Sequence, residues 1–302
     1  MRVLLFGAGG YLGGAIARVL TAADHEVAAV ARDAGRAAAF AKQGLEPVAG
    51  GLDDLAALEP ALARADAVVF AAAIPFDQEW PVASVLLDAL AGSGKAFVLT
   101  TGTAVLSHET PQGEWREETY AEDDPFTPPP WIAVRVETEA RVRAAADRGV
   151  RAMVVRPPLI WGHGGSKQTP AIFESVKATG AACYIGQGLN LYSHVHVDDL
   201  AQVYRLALER GGPGGLYHAV AGEVCWRALA EGVAEAMGCR TRSVTLDEAR
   251  DIWGPFVGPL YFGVSSRSRS PRTRAELGWT PGNLDLLEDV RRGSYRAAFA
   301  KA

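Results

Sequence analysis

The chain is poor in cysteine and lysine and has no long apolar run, and each shortage narrows what it can be. Its three cysteines, Cys183, Cys225 and Cys239, are too few and too scattered for a disulfide framework, and none sits in a Cys-x-x-Cys. A reduced, cytoplasmic setting is therefore expected. The longest apolar stretch, Ala67–Pro75, falls far short of the roughly 18 residues that a membrane span requires. Met1–Phe6 runs straight into glycines, without the apolar segment and small-residue cleavage site of a secretory leader. A basic excess is missing too: 30 basic residues stand against 35 acidic ones, for a net charge of −5. Lysine occurs only at positions 42, 95, 167, 177 and 301, and the other basic residues are arginine. General binding to nucleic acid or anionic membranes needs a basic surface, so neither is expected.

What is present is a globular composition. The 302 residues are 49% apolar and 22% charged, enough for a sizeable buried core. Short β-branched or apolar runs at Val3–Phe6, Val27–Ala31, Glu46–Ala49, Ala67–Ala71, Ala96–Thr100 and Ala152–Val155 read as strands. Between them, Tyr11–Thr21, Ala34–Gln43, Leu55–Arg64, Val82–Leu90 and Val134–Arg148 have helical spacing. Continuously apolar strands alternating with helices predict an α/β fold, a doubly wound parallel sheet covered on both faces. After Pro157 the alternation loosens. Helices are expected at Asp199–Glu209, Trp226–Met237, Leu246–Ile252 and Leu284–Ala300, and a strand at Leu216–Val220. Ser107–Pro130, Gly162–Pro170 and Gly254–Arg272 read as loops. Residues 1–160 are accordingly expected to form a dinucleotide-binding core, to which a strand near 216–220 returns. Residues 161–302 are expected to be mainly a substrate-binding region. No internal repeat is visible.

The first strand runs into Gly7-Ala8-Gly9-Gly10-Tyr11-Leu12-Gly13, which opens the first helix. A phosphate-binding turn needs glycine where the backbone bends sharply and approaches a pyrophosphate, and the helix N-terminus then holds the negative charge. Gly7, Gly10 and Gly13 satisfy Gly-x-x-Gly-x-x-Gly in the required strand–turn–helix setting, so dinucleotide binding is expected. The end of the second strand selects the cofactor. An acid there favours the unphosphorylated adenosine ribose, whereas arginine pairs with a 2′-phosphate. The sequence reads Ala31-Arg32-Asp33-Ala34-Gly35-Arg36. Arg32, with Arg36 one helical turn on, points to NADP(H) through bidentate guanidinium–phosphate bonds. A solvated arginine beside a competent acid, Asp33, is the plainer alternative.

The chain resembles the extended short-chain dehydrogenase/reductase superfamily, specifically its NAD-dependent epimerase/dehydratase group. The resemblance rests on the glycine turn, Leu52-Asp53, Phe97–Gly102, Arg156-Pro157-Pro158, Val195–Ala201 and Leu277–Pro281. It implies a Rossmann core with a smaller C-terminal substrate region, often as a homodimer. It also implies that the cofactor touches Tyr11 and Leu12 through the turn backbone, as well as Leu52, Ala71 and Ala72. Pro157-Pro158 would lie along the nicotinamide ring. Members usually carry a tyrosine, and four residues later a lysine, at the start of the helix after the fifth strand. Here Trp131 and Arg135 stand in those places, and Glu139 keeps an acidic position. An indole N–H donates a hydrogen bond but cannot give up its proton, and an arginine charge is effectively permanent. Arg135 can still bond the nicotinamide ribose. The usual Ser or Thr of the fifth strand is displaced to Thr101 and Thr103, either of which could polarise a substrate oxygen. Losing a general acid forfeits about 10²–10⁴ in rate.

Tyr192, Tyr120 and His163 are candidate replacements, and each also has an ordinary packing or surface reading. His194 and His196 form His-x-His, but no third ligand stands at a matching local spacing, so no metal site is expected. Asp198 or Asp199 is expected to cap the helix that follows. Four arginines in Arg267–Arg274 could bind a substrate phosphate or nucleic acid, although a solvated loop is the plainer reading. These features predict an NADP(H)-dependent oxidoreductase acting on a small carbonyl, alcohol or imine-type substrate without the usual Tyr/Lys pair. The alternative is a non-catalytic NADP(H) sensor or scaffold. A nucleotide-sugar epimerase or dehydratase ranks third, because no acid–base residue for it is apparent.

Overall fold

A computed structural model describes residues 1–300. The first half alternates β1 (Arg2–Phe6), α1 (Tyr11–Ala22), β2 (Glu26–Ala31), α2 (Ala34–Lys42), β3 (Glu46–Ala49), α3 (Glu59–Arg64), β4 (Ala67–Phe70), α4 (Phe76–Leu90) and β5 (Ala96–Thr100). The short β6 (His108–Glu109), α5 (Ala133–Ala144) and β7 (Arg151–Arg156) follow. The second half holds β8 (Leu159–Trp161), α6 (Gln168–Thr179), β9 (Ala181–Ile185), β10 (Leu191–His196), α7 (Val197–Arg210), β11 (Leu216–His218) and β12 (Gly222–Cys225). It ends with α8 (Trp226–Met237), β13 (Arg240–Val244), α9 (Leu246–Trp253), β14 (Val264–Ser265), α10 (Pro271–Leu277), α11 (Leu286–Arg292) and α12 (Ser294–Phe299).

Seven strands form one parallel sheet in the order β11-β7-β5-β4-β1-β2-β3. β4 is buried along its whole length and β5 along all but its last residue, as expected of strands covered on both faces. The strand order reverses between β1 and β4. Such a switch point opens a crevice at the carboxyl ends of the strands, where ligands of doubly wound sheets bind. One face of the sheet is covered by α1 and α7, whose Ile16, Leu20, Leu200 and Tyr204 share an apolar cluster with Leu277 and Trp279. The other face is covered by α3, α4 and α5 through Leu62, Leu86, Leu87 and Val142. A smaller sheet, β12-β10-β8, and the pair β13-β9 lie in the second half around Trp226, Phe173 and Tyr295.

Several sequence expectations change. α4 begins at Phe76 rather than Val82 and runs through Pro81. Asp77 and Glu79 in its first turn complement the helix dipole. The helix expected over Leu284–Ala300 breaks at Gly293 into α11 and α12, and Asp289 receives the Ser294 amide at 2.7 Å. The segment read as a loop over Gly254–Arg272 contains β14, which pairs with β6, and Ser266 and Ser268 beyond it are buried. The Gly162–Pro170 loop ends early, because α6 starts at Gln168. No described helix is long and apolar enough to cross a membrane.

Candidate functional site

The crevice is built from the turn after β1 and the chain after β4. Gly7 has φ +88°, and a Cβ there would lie 2.6 Å from the Ala71 carbonyl oxygen. A Cβ on Gly13 would fall on the Gly7 carbonyl oxygen itself. Both positions therefore require glycine. The Gly10 amide closes the turn on Gly7 O at 2.9 Å. α1 then starts with neither a capping side chain nor an acid in its first turn, so its first N–H groups are available to an anion. Leu12 packs inward on the core and Leu52 packs on the opposite face of the sheet. Ala71 and Ala72 lie against Gly7 at the switch point. Tyr11 turns away from the turn: its hydroxyl donates to Gly162 O at 2.7 Å, and burial raises its pKa.

At the end of β2 the two candidate readers of the ribose separate. Asp33 is the N-cap of α2 and accepts the Arg36 amide at 2.8 Å. The Arg36 guanidinium lies over Gly9, where a Cβ would strike Nη1. Arg32 is exposed beside Gly51. Among the described residues neither guanidinium is held in an ion pair or hydrogen bond.

The far end of the crevice joins the carboxyl ends of β5 and β7. The Thr101 amide donates to Val155 O and the Thr103 amide to Pro157 O, both at 2.9 Å. These bonds stitch Thr101–Thr103 to Pro157-Pro158. Thr101 Oγ1 lies 3.5 Å from Val155 O, a weak bond pointing into the sheet. Arg135 sits next to Gly102, with Nη1 3.7 Å from the position of a Cβ there. Its Nε and Nη2 grip Glu79 Oε2 and Oε1 at 3.0 and 2.5 Å. Burial raises the Glu79 pKa, and the Arg135 charge opposes that rise. The guanidinium implied for ribose thus has one nitrogen, Nη1, left to offer. Its face stacks over Phe76 at 4.6 Å, and Trp131 packs against the same ring at 6.4 Å. Behind them, Arg156 and Glu139 form a buried ion pair that fixes α5 to the end of β7.

The structure separates the candidate proton donors. Tyr192 on β10 is buried beside the hydroxyls of Ser266 and Thr103. Burial raises its pKa, and these hydroxyls pull weakly the other way. Ser266 Oγ donates to Thr103 O at 2.9 Å. Tyr120 lies in the same aromatic cluster as Trp131 and Phe76, and its hydroxyl is 2.8 Å from His108 Nε2. Burial raises its pKa also. His163 is elsewhere, beside the glycine turn, with Nε2 2.7 Å from Asp198 Oδ2. Glu79, Phe76 and Ser266 carry no sequence signal, since each gains its role from a partner distant in the chain.

The structure places three other features that the sequence raised. His194 accepts the Trp161 indole N–H at 3.1 Å, and burial lowers its pKa to about 4, so the His-x-His pair does not act together. Neither Asp198 nor Asp199 caps α7. His196 does, accepting the Asp198 amide at 3.2 Å, while Asp199 receives the amides of Gly282 and Asn283. Three arginines of the Arg267–Arg274 cluster are paired within the chain. Arg267 pairs with Glu223, Arg269 with Asp124 and Arg272 with Asp123, while Arg274 donates to Val220 O.

The chain is similar to known proteins in fold and in sequence. The chain is similar in fold to dTDP-glucose 4,6-dehydratase of Bacillus anthracis, solved with NAD, at TM-score 0.76 and 15% identity, covering 99% of this chain and 96% of that one. An uncharacterised protein of Saccharomyces cerevisiae is 31% identical over 307 residues, covering 96% of this chain and 98% of its own. A 2-alkyl-3-oxoalkanoate reductase of Stenotrophomonas maltophilia is 29% identical over 227 residues, or 71% of this chain and 67% of its own. Residues 3–219, from the glycine turn through α7 to β11, match the model of the NAD dependent epimerase/dehydratase family, and the chain belongs to that family.

Proposed function

We propose that the protein is an NADP(H)-dependent oxidoreductase acting on a small organic carbonyl, alcohol or imine-type substrate. The observation that carries this reading is the division of labour after β2. Asp33 is engaged as a helix cap, and the unpaired guanidiniums of Arg32 and Arg36 flank the adenosine end of the crevice. The cradle fits a pyrophosphate, since Gly7 and Gly13 leave no room for a Cβ and α1 opens uncapped. When bound, the nicotinamide would supply or accept hydride. The first amides of α1 would hold the cofactor's pyrophosphate, Arg32 and Arg36 its 2′-phosphate, and Arg135 its ribose. Pro157-Pro158 would support the ring. Thr103, Tyr192 and the Trp131 indole are hydrogen-bond donors toward a substrate oxygen. The reductase and ketoreductase names of two relatives, from S. maltophilia and Stigmatella aurantiaca, support a carbonyl substrate.

Titration of NADPH and NADH into the wild type and Arg32→Ala by calorimetry tests this. Preference for NADPH by the wild type, reduced at least tenfold in Arg32→Ala with NADH binding unchanged, is the expected result, since a charge-assisted bond contributes about 1.5–3 kcal/mol. Equal affinities in the wild type would remove the case for NADP(H). Preferred NADPH binding, without oxidation of NADPH by any of a panel of 3-oxo acids and ketones, would favour the sensor.

A further inference from the structure

We propose that His163, His196 and Asp198 form a binding site for a divalent transition-metal ion of the zinc class, beside the glycine-rich turn. One donor atom from each of the three residues lies within 4.8 Å of the others. His163 Nε2 is 2.7 Å, and His196 Nδ1 3.8 Å, from the same carboxylate oxygen, Asp198 Oδ2. Tetrahedral coordination at about 2.0–2.1 Å sets ligand atoms about 3.3 Å apart, and the two separations bracket that value. The other carboxylate oxygen, Oδ1, faces Arg18 at 3.4 Å, so Oδ2 is the one presented to both imidazoles.

The sequence hid this set because its members come from two places. His196 and Asp198 flank the start of α7, and His163 arrives from the turn after β8. That turn is unusually constrained. His163 has φ +53°, a strained conformation for a residue with a side chain. The strain is sustained by hydrogen bonds on both sides of it. Tyr11 donates to Gly162 O at 2.7 Å, the Gly162 amide donates to Tyr295 at 3.0 Å, the Gly164 amide to Ser294 Oγ at 2.8 Å, and Tyr295 to Gly165 O at 2.8 Å. The backbone is thus fixed while the imidazole stays more than half exposed, at 56%, which is how a preorganised ligand is held.

Metal binding here would replace two existing contacts, the first being the 2.7 Å bond between His163 Nε2 and Asp198 Oδ2. The His196 Nδ1 bond to the Asp198 amide is long, at 3.2 Å, and coordination would replace it. The positive end of the α7 dipole opposes a cation, but Asp198 brings a full negative charge to the first turn. Two imidazoles and one carboxylate suit zinc and its neighbours, and not magnesium or calcium, which prefer oxygen. His163 and Asp198 line a cavity of about 570 Å³ together with Gly9, Gly10, Tyr11 and Arg18, so water can reach these two ligands.

The test is calorimetric titration of ZnCl₂ into the chelator-stripped full chain, repeated with CoCl₂ under visible spectroscopy. The expected result is one equivalent of Zn²⁺, with Co²⁺ giving the intense d–d bands of four- or five-coordinate geometry. Affinity should fall at least tenfold in His163→Ala and in Asp198→Asn, and stay the same in His25→Ala. Because His163 is exposed, its loss leaves the fold intact, which far-ultraviolet dichroism verifies. No saturable Zn²⁺ binding in the wild type, or unchanged binding in His163→Ala, would overturn the site.

Discussion

The Arg135 guanidinium is locked to Glu79, 56 residues earlier in the chain, by two parallel bonds of 3.0 and 2.5 Å. This pair joins α4 to α5 directly below the strand ends where chemistry is proposed. Glu79 is 3% exposed, so neither partner can be removed without leaving a poorly solvated charge.

Glu79→Gln should therefore destabilise the fold by about 3 kcal/mol, the usual cost of breaking a buried pair. Urea unfolding measures it. The double variant Glu79→Leu with Arg135→Met should regain much of that loss, because it leaves no orphaned charge. A loss under about 0.5 kcal/mol in the single variant would mean that water screens the pair, as it does at a surface.

The pH dependence of stability should carry the mark of His194. Burial lowers its pKa to about 4, while the unfolded chain titrates near 6.5. Between those values the unfolded state binds a proton that the folded state refuses. The contribution of His194 is therefore complete above pH 6.5 and declines as pH falls toward 4, by about 3 kcal/mol. His194→Gln, which can still accept the Trp161 N–H, should flatten the fall in unfolding free energy between pH 6.5 and 4. An unchanged slope would show that His194 is protonated in the folded state.

Arg267 holds the long segment after β5 in place. It pairs with Glu223 and donates to the carbonyl oxygens of Arg116 and Glu117 at 3.0 and 3.2 Å. Arg267→Ala should release that stretch, so trypsin should cleave after Arg116 several-fold faster than in the wild type. Added salt should speed cleavage of the wild type in the same direction, because the latch is ionic. Equal rates in both chains would locate the restraint elsewhere, in the Tyr120 backbone bonds to Arg267 and Arg269.

The sheet was legible because its central strands are short, almost wholly apolar and separated by helices, a pattern that burial on both faces imposes. The glycine turn was legible because Gly7 and Gly13 meet steric demands that no other residue satisfies. The wall of the crevice was not. Ser265, Ser266 and Ser268 read as loop residues by composition, yet they are buried, and strand pairing and backbone acceptors satisfy much of their polarity. Arg135 could be placed at the right point of α5, but its partner could not, since nothing in Phe76–Trp80 marks Glu79 as facing inward. His163 failed for the opposite reason: it looked like a mobile loop residue, and bonds from Tyr11, Tyr295 and Ser294 fix it.

The ionic latching of Arg267, Arg269 and Arg272 also governs how an anionic molecule meets this surface. Charges paired within the chain add little long-range attraction, and the net charge of −5 repels a polyphosphate at a distance. Beyond about 8 Å in physiological salt even that repulsion is screened. On the reading proposed above, encounter with the dinucleotide is therefore an unsteered, diffusive search, and discrimination would begin only within reach of Arg32 and Arg36.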